Sequence, residues 1–350
     1  MFKIFILETG VKMYRKIFEE DVKNCNLEFT HIEEGITDPT LQKIDNLFGQ
    51  ADALSIENAQ SHERYLKLLA IFGTLITLTF LIYDEWEMHL LIADVILIIT
   101  LLVFIYKYTD KHEFHRKYIQ YRLLAESLRL QYYLSVAGIN KNVSELMPWF
   151  VEIGSTYWIK DLIKKLEIKT DVRKDIKEYW IDDQYNYHHN AHARLIVKQK
   201  RENLITTILI AITVATYIIT LCFELYMTTV PSGELHHNML NGMLQIAQQR
   251  TIMLGYGQVD MIRATLKIIV GTMSAGTLFI GSYYGKMSLT DVIKDHRRME
   301  ELYYKFEIKA KNNNNVLSEK DILKLAQEFV IENTIWYAYQ NKNEPDLTIE

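Results

Sequence analysis

Residues 204–223, LITTILIAITVATYIITLCF, contain no charged residue, and apolar or hydroxyl-bearing side chains fill every position. A helix of about 20 such residues is long enough to cross the hydrocarbon core of a bilayer. A helix in a soluble bundle usually keeps a polar stripe along its solvent side, and this segment has none. The segment therefore predicts a membrane-spanning helix.

Three further segments share this apolar character and come close to the same length. They are residues 65–83, YLKLLAIFGTLITLTFLIY; residues 88–106, MHLLIADVILIITLLVFIY; and residues 268–285, IIVGTMSAGTLFIGSYYG. Four helices buried in a large soluble bundle are the alternative, which the lack of polar stripes disfavours. The sequence therefore predicts an all-α integral membrane protein with four transmembrane helices in two hairpins, joined to long cytoplasmic helices.

The averages over the 350 residues conceal this pattern, because the net charge of -5 and the mean hydropathy of -0.05 are those of an ordinary soluble protein. They do exclude a disordered chain and a basic nucleic-acid-binding protein. Two isolated cysteines, Cys25 and Cys222, exclude a disulfide-stapled fold. Only 14 glycines and 4 prolines argue against an all-β barrel or sandwich, which needs many turns.

The basic residues next to the spans predict the orientation of the chain, since cytoplasmic flanks are enriched in Lys and Arg. They are Arg64 and Lys67 before the first span, Lys107, Lys111, Arg116 and Lys117 after the second, Lys198, Lys200 and Arg201 before the third, and Lys286, Lys294, Arg297 and Arg298 after the fourth. Residues 84–87, DEWE, form an acidic tip, whereas Arg263 and Lys267 are exceptions on the far side. Both termini and the middle of the chain are therefore expected in the cytoplasm, with both hairpin tips on the opposite side of the membrane.

The chain divides into five regions that form two similar halves. They are a short N-terminal cytoplasmic segment (1–62), a first hairpin (63–109), a cytoplasmic helical region (110–200), a second hairpin (201–287) and C-terminal cytoplasmic helices (288–350). Residues 1–18 are expected to form a short strand or a buried start, because their apolar run is too short for a signal peptide. Residues 239–249 are expected to form a short interfacial helix.

Two groups of polar residues are candidates for chemistry. His188 and His192 are one helical turn apart, a usable spacing for two metal ligands, although zinc needs at least a third. A solvated helix near the membrane surface explains the same pattern. Asp94 is the acidic residue well inside a span, where a carboxylate indicates a transport role or a contact with a neighbouring helix.

Small and hydroxyl-bearing residues form a stripe on the fourth span, with Ser274, Thr277, Gly281 and Gly285 on one side. Such stripes allow close helix packing in lipid, within one chain or between chains, and the lining of an assembled pore is the other interpretation.

The charged residues Arg122, Glu126 and Arg129 have the i,i+4 and i,i+3 spacing of pairs that stabilise a helix surface. The sequence contains no phosphate-binding glycine loop, nucleophile elbow, HExxH or paired CxxC motif. We therefore expect no enzyme activity and no cofactor.

Four stretches of the chain resemble the SLATT-type family of bacterial two-span membrane effectors. Residues 48–55, FGQADALS, resemble the lead into the first span, and residues 115–131, HRKYIQYRLLAESLRLQ, resemble the helix that follows the second. Residues 180–187, WIDDQYNY, resemble the start of the second hairpin, and residues 332–336, ENTIW, resemble the family's C-terminal motif.

The resemblance implies a membrane effector of an anti-phage defence system that acts by abortive infection. Such an effector oligomerises in the lipid bilayer and permeabilises the inner membrane when a nucleotide signal or a partner triggers it. About 50 residues precede the first motif, too few for a sensor domain, so a separate sensor or second-messenger-producing partner is expected. The alternatives are a constitutive small-ion transporter or channel and a non-conducting anchor for a soluble partner. Direct nucleic-acid binding is not expected.

Overall fold

A computed structural model describes residues 2–85, 90–148, 154–228, 256–287, 289–314 and 316–342. Within these ranges the regular elements are all helical, which confirms the predicted all-α class. The α-helices are α1 (Phe2–Asn24), α2 (Pro39–Glu85), α3 (Leu90–His112), α4 (Phe114–Val136), α5 (Tyr157–Lys164), α6 (Asp183–Thr228), α7 (Tyr256–Met287), α8 (Leu289–Asn312) and α9 (Glu319–Lys342). A π-helical turn, Lys177–Asp182, leads into α6, and short 3₁₀ turns lie at Val143–Glu145 and Gly154–Thr156.

The expectation of a strand at the start of the chain is wrong, because α1 covers Phe2–Asn24. A short apolar run is compatible with a helix as well as with a strand, and the helical residues after it continue the same element. The proposed interfacial helix over residues 239–249 and part of the acidic tip lie outside the described residues.

The chain separates into two compact units. The polar unit comprises Met1–Arg64, Lys111–Ile196 and Thr290–Glu350, and the apolar unit comprises Tyr65–Asp110 and Val197–Leu289. Helices α2 and α6 contribute residues to both units.

Three helices in the described part of the chain are long and apolar enough to cross a membrane. They are α2, α6 with the π-helical turn before it, and α7, and they contain the expected first, third and fourth spans. The expected second span corresponds to a shorter apolar helix, Leu91–Ile105. Large apolar side chains remain exposed along all four segments, as expected for surfaces that face lipid rather than water.

Close packing inside the apolar unit occurs where glycines face bulky side chains. A Cβ atom at Gly73 on α2 would overlap the ring of Phe279 on α7, and one at Gly271 would overlap Leu81. These glycines let α2 and α7 approach each other closely, which is how helices commonly pack in lipid.

The polar unit has a conventional buried core built around α4. Its largest fully buried side chains include Trp180, Tyr132 and Tyr303. The ring of Trp180 stacks on Tyr133 at 5.1 Å, and its Nε1 donates to the Tyr303 hydroxyl at 3.2 Å. The π-helical turn therefore places an aromatic anchor between α4 and α8, and this core fixes the helices that form the site.

A glycine in the left-handed conformation follows the end of α4. The helix stops at Val136, and Gly138 follows with a φ of +79°. That left-handed conformation costs little for glycine and is strained for other residues. A side chain there would also meet the Arg173 guanidinium.

Candidate functional site

Helix α4 carries the first part of the site, the charged side chains Arg122, Glu126 and Arg129. All three are half-buried within the polar unit. Arg129 Nη1 lies 3.0 Å from Glu126 Oε2, and its guanidinium lies 4.9 Å from the ring centre of Phe48. The pair is therefore covered by neighbouring helices, where a charge pair is screened less than on a helix surface.

A small cavity of about 60 Å³ lies beside these residues, and we call it the polar pocket. Four helices line it with Arg122, Glu126 and Arg129 of α4, Tyr187 and His188 of α6, Val292, Asp295, His296 and Met299 of α8, and Phe329, Glu332, Asn333 and Trp336 of α9. The cavity is far smaller than the several hundred Å³ of a typical small-molecule site. It has room for about four water molecules or a small ion.

The guanidinium of Arg122 is an unusual feature of the polar pocket. It stacks over the indole of Trp336 at 5.1 Å. Among the residues that the structure describes, it makes no hydrogen bond and no ion pair. Burial tends to lower the pKa of Arg122, but Tyr118, Glu126, Tyr187 and Asp52 outweigh it and raise the pKa. Arg122 thus lines the cavity with its charge retained and without a hydrogen bond to another described residue.

Glu332 lies across the same cavity and also has unused capacity. Arg298 Nη2 lies 3.1 Å from Glu332 Oε1 without the geometry of a hydrogen bond. Oε1 is buried and accepts no hydrogen bond within the described part of the chain. Burial raises the pKa of Glu332, Asp295 adds to this effect, and the Arg298 charge opposes it.

Two histidines form the third part of the polar pocket. The Nδ1 atoms of His188 and His296 lie 2.9 Å apart, and the His188 ring stacks on Tyr303. Burial lowers the pKa of His188 to about 3, with help from His296, Arg122 and Arg129. Burial and the Arg122 charge likewise lower the pKa of His296 to about 4. Both rings are therefore neutral near pH 7, and one donates its Nδ1 proton to the other.

The two histidines considered as metal ligands have different partners. His188 faces His296, whereas His192 Nδ1 lies 3.1 Å from Glu300 Oε2, and His189 Nδ1 lies 2.7 Å from Glu300 Oε1. Within the described ranges no group of three His, Cys, Asp or Glu side chains has the arrangement of a metal site.

Asp94, the candidate inside a span, has a partner on a neighbouring helix. It is almost fully buried, and its Oδ1 accepts a hydrogen bond of 2.8 Å from the Thr79 hydroxyl. This contact joins α2 and α3 within the apolar unit and gives Asp94 a packing role.

The stripe on α7 is divided between occupied and open positions. The Thr277 hydroxyl lies 3.0 Å from that of Thr213, and Ser274 Oγ donates to the Tyr217 hydroxyl at 3.2 Å, so both reach α6. At Gly281 and Gly285 a Cβ atom would meet nothing within 4 Å among the described residues. Ser274 and Thr277 therefore join α7 to α6, whereas the positions of Gly281 and Gly285 stay open.

The two exceptional basic residues are paired with acids of the apolar unit. Arg263 donates through Nε and Nη2 to the Glu224 carboxylate, at 2.9 Å each. Lys267 donates to Asp84 at 2.7 Å and also contacts Glu85. These pairs join the ends of three apolar helices and give both residues a structural role.

The polar pocket brings together residues from separate motifs of the sequence. Arg122, Tyr187 and Trp336 belong to three of the four stretches that carry the family resemblance, and Asp52 of the fourth acts on the Arg122 charge. Sequence reasoning assigned no chemistry to His296, Glu332 or Trp336. The order of short polar motifs was the available signal, since nothing local shows that they meet. Comparison of the chain with protein-family models, with curated proteins and with solved structures found no match.

Proposed function

We propose that this chain is a four-span membrane effector that permeabilises the bacterial inner membrane during anti-phage defence. Both termini and the polar unit lie in the cytoplasm, and a nucleotide signal or a partner protein acts there. The proposal rests on the apolar helices of the structure, on the distribution of basic residues, and on the resemblance to SLATT-type effectors.

One observation carries the assembly step of this proposal. On α7, Gly281 and Gly285 have open space where the same stripe, one to two turns earlier, hydrogen-bonds to α6 through Thr277. An open small-residue face on a membrane helix favours association with another helix in lipid. A second copy of this chain is the proposed partner, so that activation assembles several hairpins around a conducting path.

Constitutive transport has less support from the geometry. A transporter commonly places ionisable groups toward a water-filled path within the membrane. Asp94 is instead buried and hydrogen-bonded to Thr79. A non-conducting anchor shares the same apolar helices and differs from the effector in lacking conductance.

Membrane depolarisation tests the proposal. The full chain is expressed in bacteria with its neighbouring genes, cells are infected with phage, and a potential-sensitive dye is followed. We expect depolarisation and growth arrest. Gly281→Leu, which fills the open face, should reduce depolarisation at equal membrane content. Gly257→Leu is the matched control, because Gly257 also has open space and lies outside the stripe.

Two results would contradict the effector. Absence of depolarisation and arrest with the neighbouring genes and phage present favours the anchor. Flux without infection that Asp94→Asn abolishes favours the transporter, whereas the effector should depolarise the membrane in that variant much as in the original chain.

A further inference from the structure

The polar pocket is lined by two groups of opposite character, a half-buried guanidinium and a buried carboxylate oxygen, that make no hydrogen bond with the described residues. Arg122 presents donors, and Glu332 Oε1 presents an acceptor that lies 3.1 Å from Arg298 Nη2 without a hydrogen bond to it. A buried polar group without a hydrogen-bond partner destabilises the folded state, and more so when it is charged. Both residues line one cavity, which has room for a few non-hydrogen atoms. An occupant that accepts from Arg122 and donates to Glu332 would satisfy both.

We propose that the polar pocket binds a phosphoryl group that carries a hydroxyl, with Arg122 donating hydrogen bonds to its oxygens and Glu332 accepting one from its hydroxyl. The ligand class is inorganic phosphate or a small phosphate monoester. The proposal concerns the polar unit alone and does not depend on permeabilisation of a membrane.

The hydrogen-bonding groups of a phosphoryl group match those of the Arg122 guanidinium and of Glu332 Oε1. A guanidinium presents a planar set of donors that fits two oxygens of a tetrahedral oxyanion. A hydrogen phosphate ion also has a hydroxyl that donates to a carboxylate. Sulfate has the same shape and no hydroxyl at neutral pH, so it would leave Glu332 without a partner and repel its charge.

The remaining charges near the polar pocket already have partners. Glu126 pairs with Arg129, and Asp295 pairs with Arg298. Arg122 is therefore the cation whose donors remain for a ligand. The volume of about 60 Å³ admits a phosphoryl group and excludes a nucleobase, so a larger monoester would enter by its phosphate alone.

Titration calorimetry on the purified full chain in detergent tests the proposal, with phosphate, sulfate and glycerol 3-phosphate at pH 7 and equal ionic strength. We expect phosphate to bind at least tenfold more tightly than sulfate. Glycerol 3-phosphate binding equal to or tighter than phosphate assigns a monoester, and weaker binding assigns the free ion. Both results support the site.

Substitutions identify the two groups. Arg122→Gln should weaken phosphate binding by about tenfold to a hundredfold, the usual effect of losing hydrogen bonds to a charged group. Arg297→Gln is the matched control, because Arg297 is exposed and pairs with Glu301 outside the polar pocket. Arg122→Lys keeps the charge without the planar donors and should give an intermediate affinity.

Glu332→Gln provides a result that loss of folding does not imitate. The amide donates where the carboxylate accepted, so this variant should lose the preference for phosphate and bind sulfate better than the original chain does. The proposal is overturned if no saturable binding of phosphate occurs, which assigns water to the cavity. It is also overturned if Arg122→Gln and Arg297→Gln bind equally, or if Glu332→Gln keeps the original preference.

Discussion

One isoleucine of the apolar unit and one of the polar unit are exposed to the same extent but lie in different surroundings. Ile212 in the apolar unit and Ile331 in the polar unit are each 46% exposed. Ile212 lies among exposed Ile, Leu and Val side chains along α6. Ile331 on α9 has the exposed polar residues Gln327 and Glu328 one turn before it and the exposed Ile335 one turn after it. The comparison shows that exposure alone does not identify the solvent, because the composition of the surrounding surface decides it.

The two units also differ in what holds their helices together. The polar unit buries large aromatic and aliphatic side chains, as a water-soluble core does. The apolar unit joins its helices through hydroxyl contacts such as Thr213 to Thr277 and through the close approach at Gly73. Burial against lipid gains little for an apolar side chain, so packing and hydrogen bonds take a larger share of the stabilisation there.

Replacing a leucine by alanine should give the largest difference between the two units in the free energy of unfolding that is lost. Leu128→Ala removes a fully buried side chain of α4 and should lower the free energy of unfolding by about 2–5 kcal/mol. Leu278→Ala is the matched change on α7, where the side chain is 74% exposed, and should cost less than about 0.5 kcal/mol. Chemical unfolding of the full chain in bilayer discs measures both. Equal losses would contradict the assignment of a separate core to the polar unit.

Acid should destabilise the polar unit through its histidine pair. His188 and His296 have pKa values of about 3 and about 4 in the folded chain, below the ordinary value of 6.5. The unfolded chain therefore takes up protons below about pH 6.5 while the folded chain does not. The free energy of unfolding should fall by about 1.4 kcal/mol per pH unit for His188 as the pH drops from 6.5 toward 4.

The double variant His188→Asn, His296→Asn isolates this effect. The titratable and charged groups that act on the pair remain in place, namely Arg122, Glu126 and Arg129 of α4 and His192 and Arg194 of α6. Glu332 acts in the opposite direction, since its raised pKa favours proton uptake by the folded chain. Unfolding curves at pH 7 and pH 5.5 should show a clearly smaller drop for the variant than for the original chain. An equal fall in the free energy of unfolding for the variant and the original chain would show that groups other than the two histidines cause the acid sensitivity.

The interhelical hydroxyl contact should give the smallest effect. Thr213→Val removes the hydrogen bond to Thr277 and should cost about 0.6 kcal/mol, the average for such contacts in membrane proteins. Thr207→Val is the control, because Thr207 donates to the Asn203 carbonyl of its own helix. Steric-trap or thermal unfolding in bilayer discs compares the two. A larger cost for Thr207→Val would argue against hydroxyl contacts as the joint between α6 and α7.

The sequence was a good guide to the helices and a poor guide to the polar pocket, for physical reasons. Long apolar segments such as residues 204–223 predict helices because their length and composition suffice. The prediction of a strand at the start of the chain was wrong, since a short apolar run fits a strand or a helix equally well. Arg122 has the i,i+4 spacing to Glu126 that is typical of a pair on a helix surface. Only the folded structure shows that Arg122 packs against Trp336, near the opposite end of the chain, and lines a cavity with it.

Labelling of introduced cysteines tests the central claim, that the apolar unit lies in a lipid bilayer. Ile212→Cys and Ile331→Cys are made in a background with Cys25→Ser and Cys222→Ser. Opened membranes without detergent are treated with a water-soluble maleimide, and full denaturation confirms that both thiols react. We predict fast labelling at position 331 and almost none at position 212, because thiols react as solvated thiolates. Equal rates at both positions before denaturation would contradict the account.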